Sequence, residues 1–238
     1  MEALYSMPTG GEVRLRRRPV LASWDDQEHP HQKRLAAYLD ELERDLHWGP
    51  RAGAHLSLAL RVGLPREQPL DRGGHDLDNY LFPIANRLGH VRFDAVFAGK
   101  VHDGHSSITV QPSARSDDLP TAPDVVAQLT ASATSIDWKE QLYHACRRQT
   151  SGPVPPGPVA VQVRLTVSRQ RNWSALWKPA LDALGPILGV PDPTRPYRAA
   201  DDRITVLGLH RRLDDTVGHR VGVEIWCRGA RRPPGEDD

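Results

Sequence analysis

Two aspartates one residue apart, followed at once by an asparagine, stand at Asp76-Leu77-Asp78-Asn79. In an extended chain, side chains two positions apart point the same way. Both carboxylates can therefore face one side while Leu77 turns toward a core. Oxygen ligands on one face suit a hard divalent cation such as Mg²⁺, which takes a few carboxylates and keeps several waters. The same residues also suit a helix start, where Asp or Asn caps free backbone amides. A second acidic group, Asp201-Asp202, directly precedes an apolar stretch with strand character. Adjacent acids there can complete a metal site or simply form a polar turn.

The elements that must position these acids follow from periodicity and punctuation. Leu35, Tyr38, Leu39, Leu42 and Leu46 share one face of a predicted helix over His31 to Leu46. A strand is predicted over Ala54 to Leu64, then a helix from about Asn79 to Leu88. Strands follow at about Arg92 to Ala98 and Ser106 to Gln111, joined by Asp103-Gly104. A Ser, Asp, Pro and Thr-rich stretch at Pro112 to Pro123 reads as a linker. Beyond it the order recurs: a helix over Asp137 to Arg148, a strand over Val159 to Val167, and a helix over Ser174 to Leu184. Strands near Ile204 to His210 and Val221 to Cys227, with the polar turn Asp214 to Gly218 between them, complete the second series.

The recurrence reaches single residues. Asp78-Asn-Tyr-Leu-Phe-Pro83 corresponds to Ser174-Ala-Leu-Trp-Lys-Pro179, with proline at the same step. Proline costs least near a helix start, where the first amides have no intrahelical acceptor. Both helices close on Leu-Gly, at Leu88-Gly89 and Leu184-Gly185, and Gly104-His105 corresponds to Gly218-His219. The second series carries about eighteen additional residues before its Asp-Asp pair, in the Pro-rich stretch Val190 to Asp202. The expected architecture is α/β (α+β): two tandem units, 12–115 and 122–229, each a small, mostly antiparallel sheet covered by helices. Residues 230–238 read as a disordered tail.

Composition sets the outer bounds. At 238 residues the chain is long enough to bury a substantial core, and its formal charge of +1 argues against a strongly basic coat protein or an acidic disordered one. Arginines nevertheless cluster, at Arg16-Arg17-Arg18, Arg147-Arg148, Arg169 with Arg171, Arg211-Arg212 and Arg231-Arg232. Such clusters can grip a phosphate backbone or can be solvated surface. Cys146 and Cys227 match no metal or redox spacing, as expected of two reduced structural thiols. No apolar run approaches the ~20 residues of a membrane span, and Met1 to Arg18 lacks the pattern of a secretory signal. A cytoplasmic location with no membrane association is expected.

Taken in order, a strand, a basic connection, Asp-Leu-Asp-Asn at a helix start, a helix ending near Leu-Gly, Asp-Asp and a strand hairpin resemble the RusA family of Holliday-junction resolvases. The likeness covers about Val159 to Cys227 and, more loosely, Ala54 to Gln111. Lys178-Pro-Ala-Leu-Asp-Ala-Leu184 is similar to that family's lysine-bearing helix. The resemblance implies Mg²⁺ held by Asp-x-Asp-Asn and by the later Asp-Asp pair, an assisting lysine, and homodimeric action on branched DNA. The chain departs from the pattern in a complementary way. The first unit keeps Asp76, Asp78 and Asn79 but has Phe82 at the lysine position and His90-Val91 at the Asp-Asp position. The second keeps Lys178, Asp201 and Asp202 but has Asn172 and Ser174 in place of the two helix-start aspartates.

The resulting expectation is a pseudo-dimer within one chain, monomeric or further assembled, with one composite site. Asp76, Asp78 and Asp202, with Asp201, would hold Mg²⁺, and Lys178 would approach the scissile phosphate. Arg169, Arg171, Arg195, Arg198 and Arg203 would bind the DNA backbone. The alternative within one unit uses Asp76, Asp78 and Asp94. The expected function is a Mg²⁺-dependent, structure-selective DNA endonuclease of recombination or repair; the alternative is a catalytically inactive RusA-like DNA-binding or scaffolding protein. His75, His102, Asp103 and His105 fit no common zinc spacing. Trp173 and Trp177 can stack on bases but at helical spacing read as core or interface. Asp182 reads as a surface residue or a support for the site, and no phosphate-cradling glycine loop or nucleophile elbow is present.

Overall fold

The computed structural model of the chain describes residues 3–22, 26, 28–47, 55–117, 122–130 and 135–230. Among them the elements are β1 (Val13–Arg14), α1 (Pro30–Asp45), β2 (Leu56–Leu64), α2 (Leu77–Arg87), β3 (Phe93–His102), β4 (Ser107–Pro112) and β5 (Val125–Leu129). There follow α3 (Ile136–Gln149), β6 (Val159–Val167), α4 (Trp177–Asp182), α5 (Gly185–Leu188), β7 (Ile204–Leu213) and β8 (Val221–Gly229). Short 3-10 turns at His90–Arg92 and Asp201–Arg203 lead directly into β3 and β7. The middle of the expected linker, 118–121, and most of the expected tail, 231–238, lie outside the described residues.

The strands form one eight-stranded mixed sheet in the order β1-β4-β2-β3-β7-β6-β8-β5. Two separate small sheets were expected; instead β3 and β7 pair antiparallel and join both series edge to edge. The reason is physical. An unpaired inner edge would leave a row of buried amides and carbonyls unsatisfied, and each series offers one strand that covers the other's edge.

Strand directions read the same from either end of the sheet. β2 runs parallel to β3 and antiparallel to β4, as β6 runs parallel to β7 and antiparallel to β8. β2/β3 and β6/β7 even carry an irregularity at the same step, after Leu56 and after Val159. At the join, the fifth residue of β3 faces the fifth of β7 (Phe97 opposite Gly208), while Ala95 faces His210 and Gly99 faces Val206. A local twofold axis therefore passes between Phe97 and Gly208. A Cβ at Gly208 would run into the Gln162 amide and displace it from its hydrogen bond to His210 at 2.7 Å.

The core is continuous across this join. Leu58, Leu60, Val62, Val96, Ala98, Val161, Val163, Leu207 and Leu209 are buried in the sheet, under Leu81 and Ile84 of α2 and Leu181 of α4. The predicted helix over Ser174 to Leu184 is in fact broken: Ser174–Leu176 is a 3-10 turn, α4 ends at Asp182, and α5 follows with Pro186 at its first turn. β1 and β5, which sequence reading did not find, form the two outer edges; β1 is only two residues long, and in β5 burial alternates strictly but the apolar, exposed Val126 hides that alternation in the sequence. No described helix is long and apolar enough to cross a membrane.

Candidate metal centre

The acids meet at the carboxyl ends of β2 and β3, beside the start of β7. Asp76 is the residue before α2, with extended backbone angles, yet its side chain makes no capping bond. It accepts instead from Asn79 Nδ2 at 3.1 Å. Asp78 lies inside the first helical turn rather than on an extended segment, so the two carboxylates converge through a helix start and not through strand alternation. Leu77 between them is buried in the core. Both local readings of the motif are thus partly realised: it starts a helix, but neither carboxylate is used up as a cap.

Asp201 reaches this pair from the second series. One carboxylate oxygen from each of Asp76, Asp78 and Asp201 lies within 4.8 Å of the others. Among the described residues this is the group of acidic, His or Cys side chains that could hold a metal. Asp202 was expected to be the closer ligand. Its side chain lines the adjoining cavity, and its carbonyl accepts from Lys100 Nζ at 2.6 Å. The 3-10 turn is the cause, since it directs adjacent side chains apart and only Asp201 turns inward. Asp94 belongs elsewhere, bound to His55 at 2.9 Å and to Arg211 at 3.3 Å. The alternative built on Asp76, Asp78 and Asp94 is therefore not the arrangement found.

Lys178 sits among the carboxylates. Its ammonium is 2.7 Å from Asp201, 3.0 Å from Asp182, 3.9 Å from Asp78 and 4.0 Å from Asp76. Asp182, one turn further along the chain, is half-buried and held from α3 by Lys139 at 2.5 Å; it supports the site and is not a free surface residue. Lys100, which sequence reading missed, is a buried cation beside the cluster. The signal for it was a lone lysine in the apolar run Phe93 to His102, where a charge has to find a partner.

Electrostatics follow from burial and crowding. Asp78 is 2% exposed, and its carboxyl is pushed up to about 7 by loss of water, against the pull of Lys178. Burial also raises Asp76, with Asp201 adding to the effect. Burial pulls Lys178 down, but the carboxylates of Asp78, Asp201 and Asp182 outweigh it and its pKa is raised. Lys100 is lowered to about 8 by burial.

A divalent cation fits this donor set. Mg²⁺ with bonds of about 2.0–2.1 Å keeps its ligand oxygens roughly 3–4 Å apart, against separations of at most 4.8 Å among these three carboxylate oxygens. Asp78 Oδ1 is buried without a hydrogen-bond partner, so an acceptor waits in the cluster for a ligand. The adjoining cavity, about 560 Å³, is lined by Asp76, Asn79, Lys178, Asp182, Asp201 and Asp202. The Pro-rich insertion forms its other wall, with Arg195 and Arg198 on it.

The remaining predicted residues divide. Arg203 is consumed internally, donating to the carbonyls of Gly157, Leu188 and Pro155; it ties the turn before β7 to α5 and to the segment leading into β6, and is not displayed to a phosphate. Arg169 pairs with exposed Asp215 at 3.1 Å, and with Arg171 it lines a separate cavity of about 540 Å³. Trp173 and Trp177 are fully buried, edge to face at 4.8 Å, so they pack the core and do not stack on bases. His75 bonds Tyr80 and His102 bonds the Pro65 carbonyl. Cys146 and Cys227 are buried free thiols, both pushed up to about 12 by burial.

No family model matches the chain, and neither the curated proteins nor the solved structures hold a match to it.

Proposed function

We propose that this protein is a Mg²⁺-dependent, structure-selective DNA endonuclease of recombination or repair, built as two fused RusA-like units with one composite centre. One observation carries the reading: Asp76 and Asp78 from the first unit and Asp201 and Lys178 from the second, each set incomplete alone, converge on one cluster. The matching strand order and register of the two halves support the duplication.

Asp76, Asp78 and Asp201 would hold the ion, with Asp202 at the cavity wall. A bound Mg²⁺ supplies the charge that polarises a phosphodiester and acidifies water. Lys178 keeps a third of its side chain exposed, so its ammonium can turn from the carboxylates toward an entering phosphate and offset charge on the phosphoryl or leaving oxygen. Arg195 and Arg198 flank the cavity and would hold neighbouring phosphates. In the hydrolysis, a water oxygen bonds to phosphorus as one P–O ester bond breaks. The departing sugar oxygen keeps the electron pair and takes one water proton; the other goes to solvent.

The seating of Lys178 among the acids favours a second reading, a non-catalytic RusA-like DNA-binding or scaffolding protein in which the ammonium replaces the metal. One experiment separates the two. The protein and its Asp76→Asn and Asp201→Asn variants are incubated with a synthetic four-way junction and Mg²⁺. Strand cleavage lost in both variants supports the composite centre; binding without cleavage by the wild type supports the second reading. No binding at low salt, where phosphate contacts are strongest, refutes both.

A further inference from the structure

Resting on the endonuclease reading, we infer that the chain is one-sided: on a junction with twofold-related strands it cuts one strand per binding event. The local twofold through Phe97 and Gly208 relates β3 to β7 and, through the strand order, the elements beside the acidic centre to those of the other half. The 3-10 turn before β3 corresponds to that before β7, so His90 and Val91 stand where Asp201 and Asp202 do. Lys100 and Arg211 are both eighth in their strands. Along the helices, aligned on Pro83 and Pro179, Asn172 and Ser174 occupy the positions of Asp76 and Asp78, Phe82 that of Lys178, and Asn86 that of Asp182.

The side-chain contacts obey the same axis with different chemistry. On one side the carboxylates of Asp78 and Asp182 flank the Lys178 ammonium. On the other, Ser174 Oγ lies 3.0 Å from Asn86 Oδ1 and 2.8 Å from Asn172 Oδ1. A hydroxyl–amide network is neutral, holds itself together and offers a hard cation no carboxylate. Asp94, the acid of β3, is already shared between His55 and Arg211. Trp173 further closes the position by donating to the His90 carbonyl at 3.0 Å. The insertion that walls the acidic cavity has no counterpart in the first half. Of the two faces, only the one that holds Asp76, Asp78 and Asp201 therefore carries the donor set for phosphodiester hydrolysis.

A supercoiled plasmid with an extruded cruciform tests this directly. Two incisions within one encounter linearise the plasmid, whereas a single incision releases supercoiling, reabsorbs the cruciform and leaves a nicked circle. Nicked circles are expected as the initial product, with linear DNA absent from the early phase. Linear DNA formed from the outset at the rate of nicked circles overturns the inference while leaving the endonuclease reading intact. Should the plasmid stay uncut, the endonuclease reading fails, and the one-centre claim is judged by Mn²⁺ titration. Binding lost entirely in Asp78→Asn and retained in Asp94→Asn upholds one centre per chain. Residual binding at half the wild-type stoichiometry in Asp78→Asn, or its loss in Asp94→Asn, refutes it.

Discussion

Replacing Asp78 by asparagine should favour the metal-free protein at alkaline pH relative to acid pH, although it removes a proposed metal ligand. The carboxyl is raised from 3.8 to about 7 by burial. A group whose folded pKa lies above its unfolded value contributes stability that is fully present below the unfolded pKa and is lost as pH rises through the folded one. The shift is about three units at about 1.4 kcal/mol each, so the whole window is worth about 4 kcal/mol. Roughly two units of it fall between pH 5 and pH 8, or about 2–3 kcal/mol. The amide cannot ionise and escapes this loss.

Thermal unfolding in chelator at both pH values reads the effect. For a chain of this length about 2–4 °C accompanies each kcal/mol. The variant should gain about 5–10 °C on the wild type at pH 8 relative to its standing at pH 5. Millimolar Mg²⁺ should then raise the wild-type melting temperature at pH 8 by mass action and leave the variant unmoved. An Asp78→Asn protein destabilised equally at both pH values would refute the reasoning. It would show the carboxylate to be simply a partner of Lys178, not a strained ligand.

Mn²⁺ affinity, measured by titration calorimetry, should rise between about pH 6 and pH 8 as Asp78 gives up its proton, with proton release seen in buffers of differing ionisation enthalpy; a flat profile contradicts the pushed-up carboxyl. Lys178→Ala should destabilise the metal-free protein by about 2 kcal/mol, below the ~3–5 of a fully buried broken pair because the side chain is partly in water. Mg²⁺ should restore most of that loss in thermal unfolding. Arg203→Ala should cost about 2–3 kcal/mol in urea unfolding, through the part-buried carbonyls of Gly157 and Leu188 left without their donor, without weakening junction binding at low temperature. Gly208→Ala should cost about 1–3 kcal/mol by overpacking. Adding Gln162→Ala should recover part of that, because the clash is with the Gln162 amide.

Much of this protein was legible before folding. Strands near Val159 to Val167 and helices such as Ile136–Gln149 declare themselves by local periodicity, which depends only on which neighbours share a face. The paired acids at Asp76 and Asp78, the recurrence of proline and Leu-Gly, and the placing of Asp76 and Asp78 in one half but Lys178, Asp201 and Asp202 in the other are properties of the chain as written. Other features depend on neighbours far away in sequence. The β3–β7 join arises because each half must cover an open edge, and edges exist only after the sheets form. The choice of Asp201 over its neighbour comes from a 3-10 turn whose side-chain directions no spacing rule announces. Lys100 enters the site because strand pairing carries it beside β7, and Arg203 leaves the candidate DNA surface because its guanidinium is taken up by the carbonyls of Pro155, Gly157 and Leu188. Residue types and their local pattern thus belong to the sequence. Which charges share one buried cavity, and therefore which pKa values move, was decided only when distant segments packed together and excluded water.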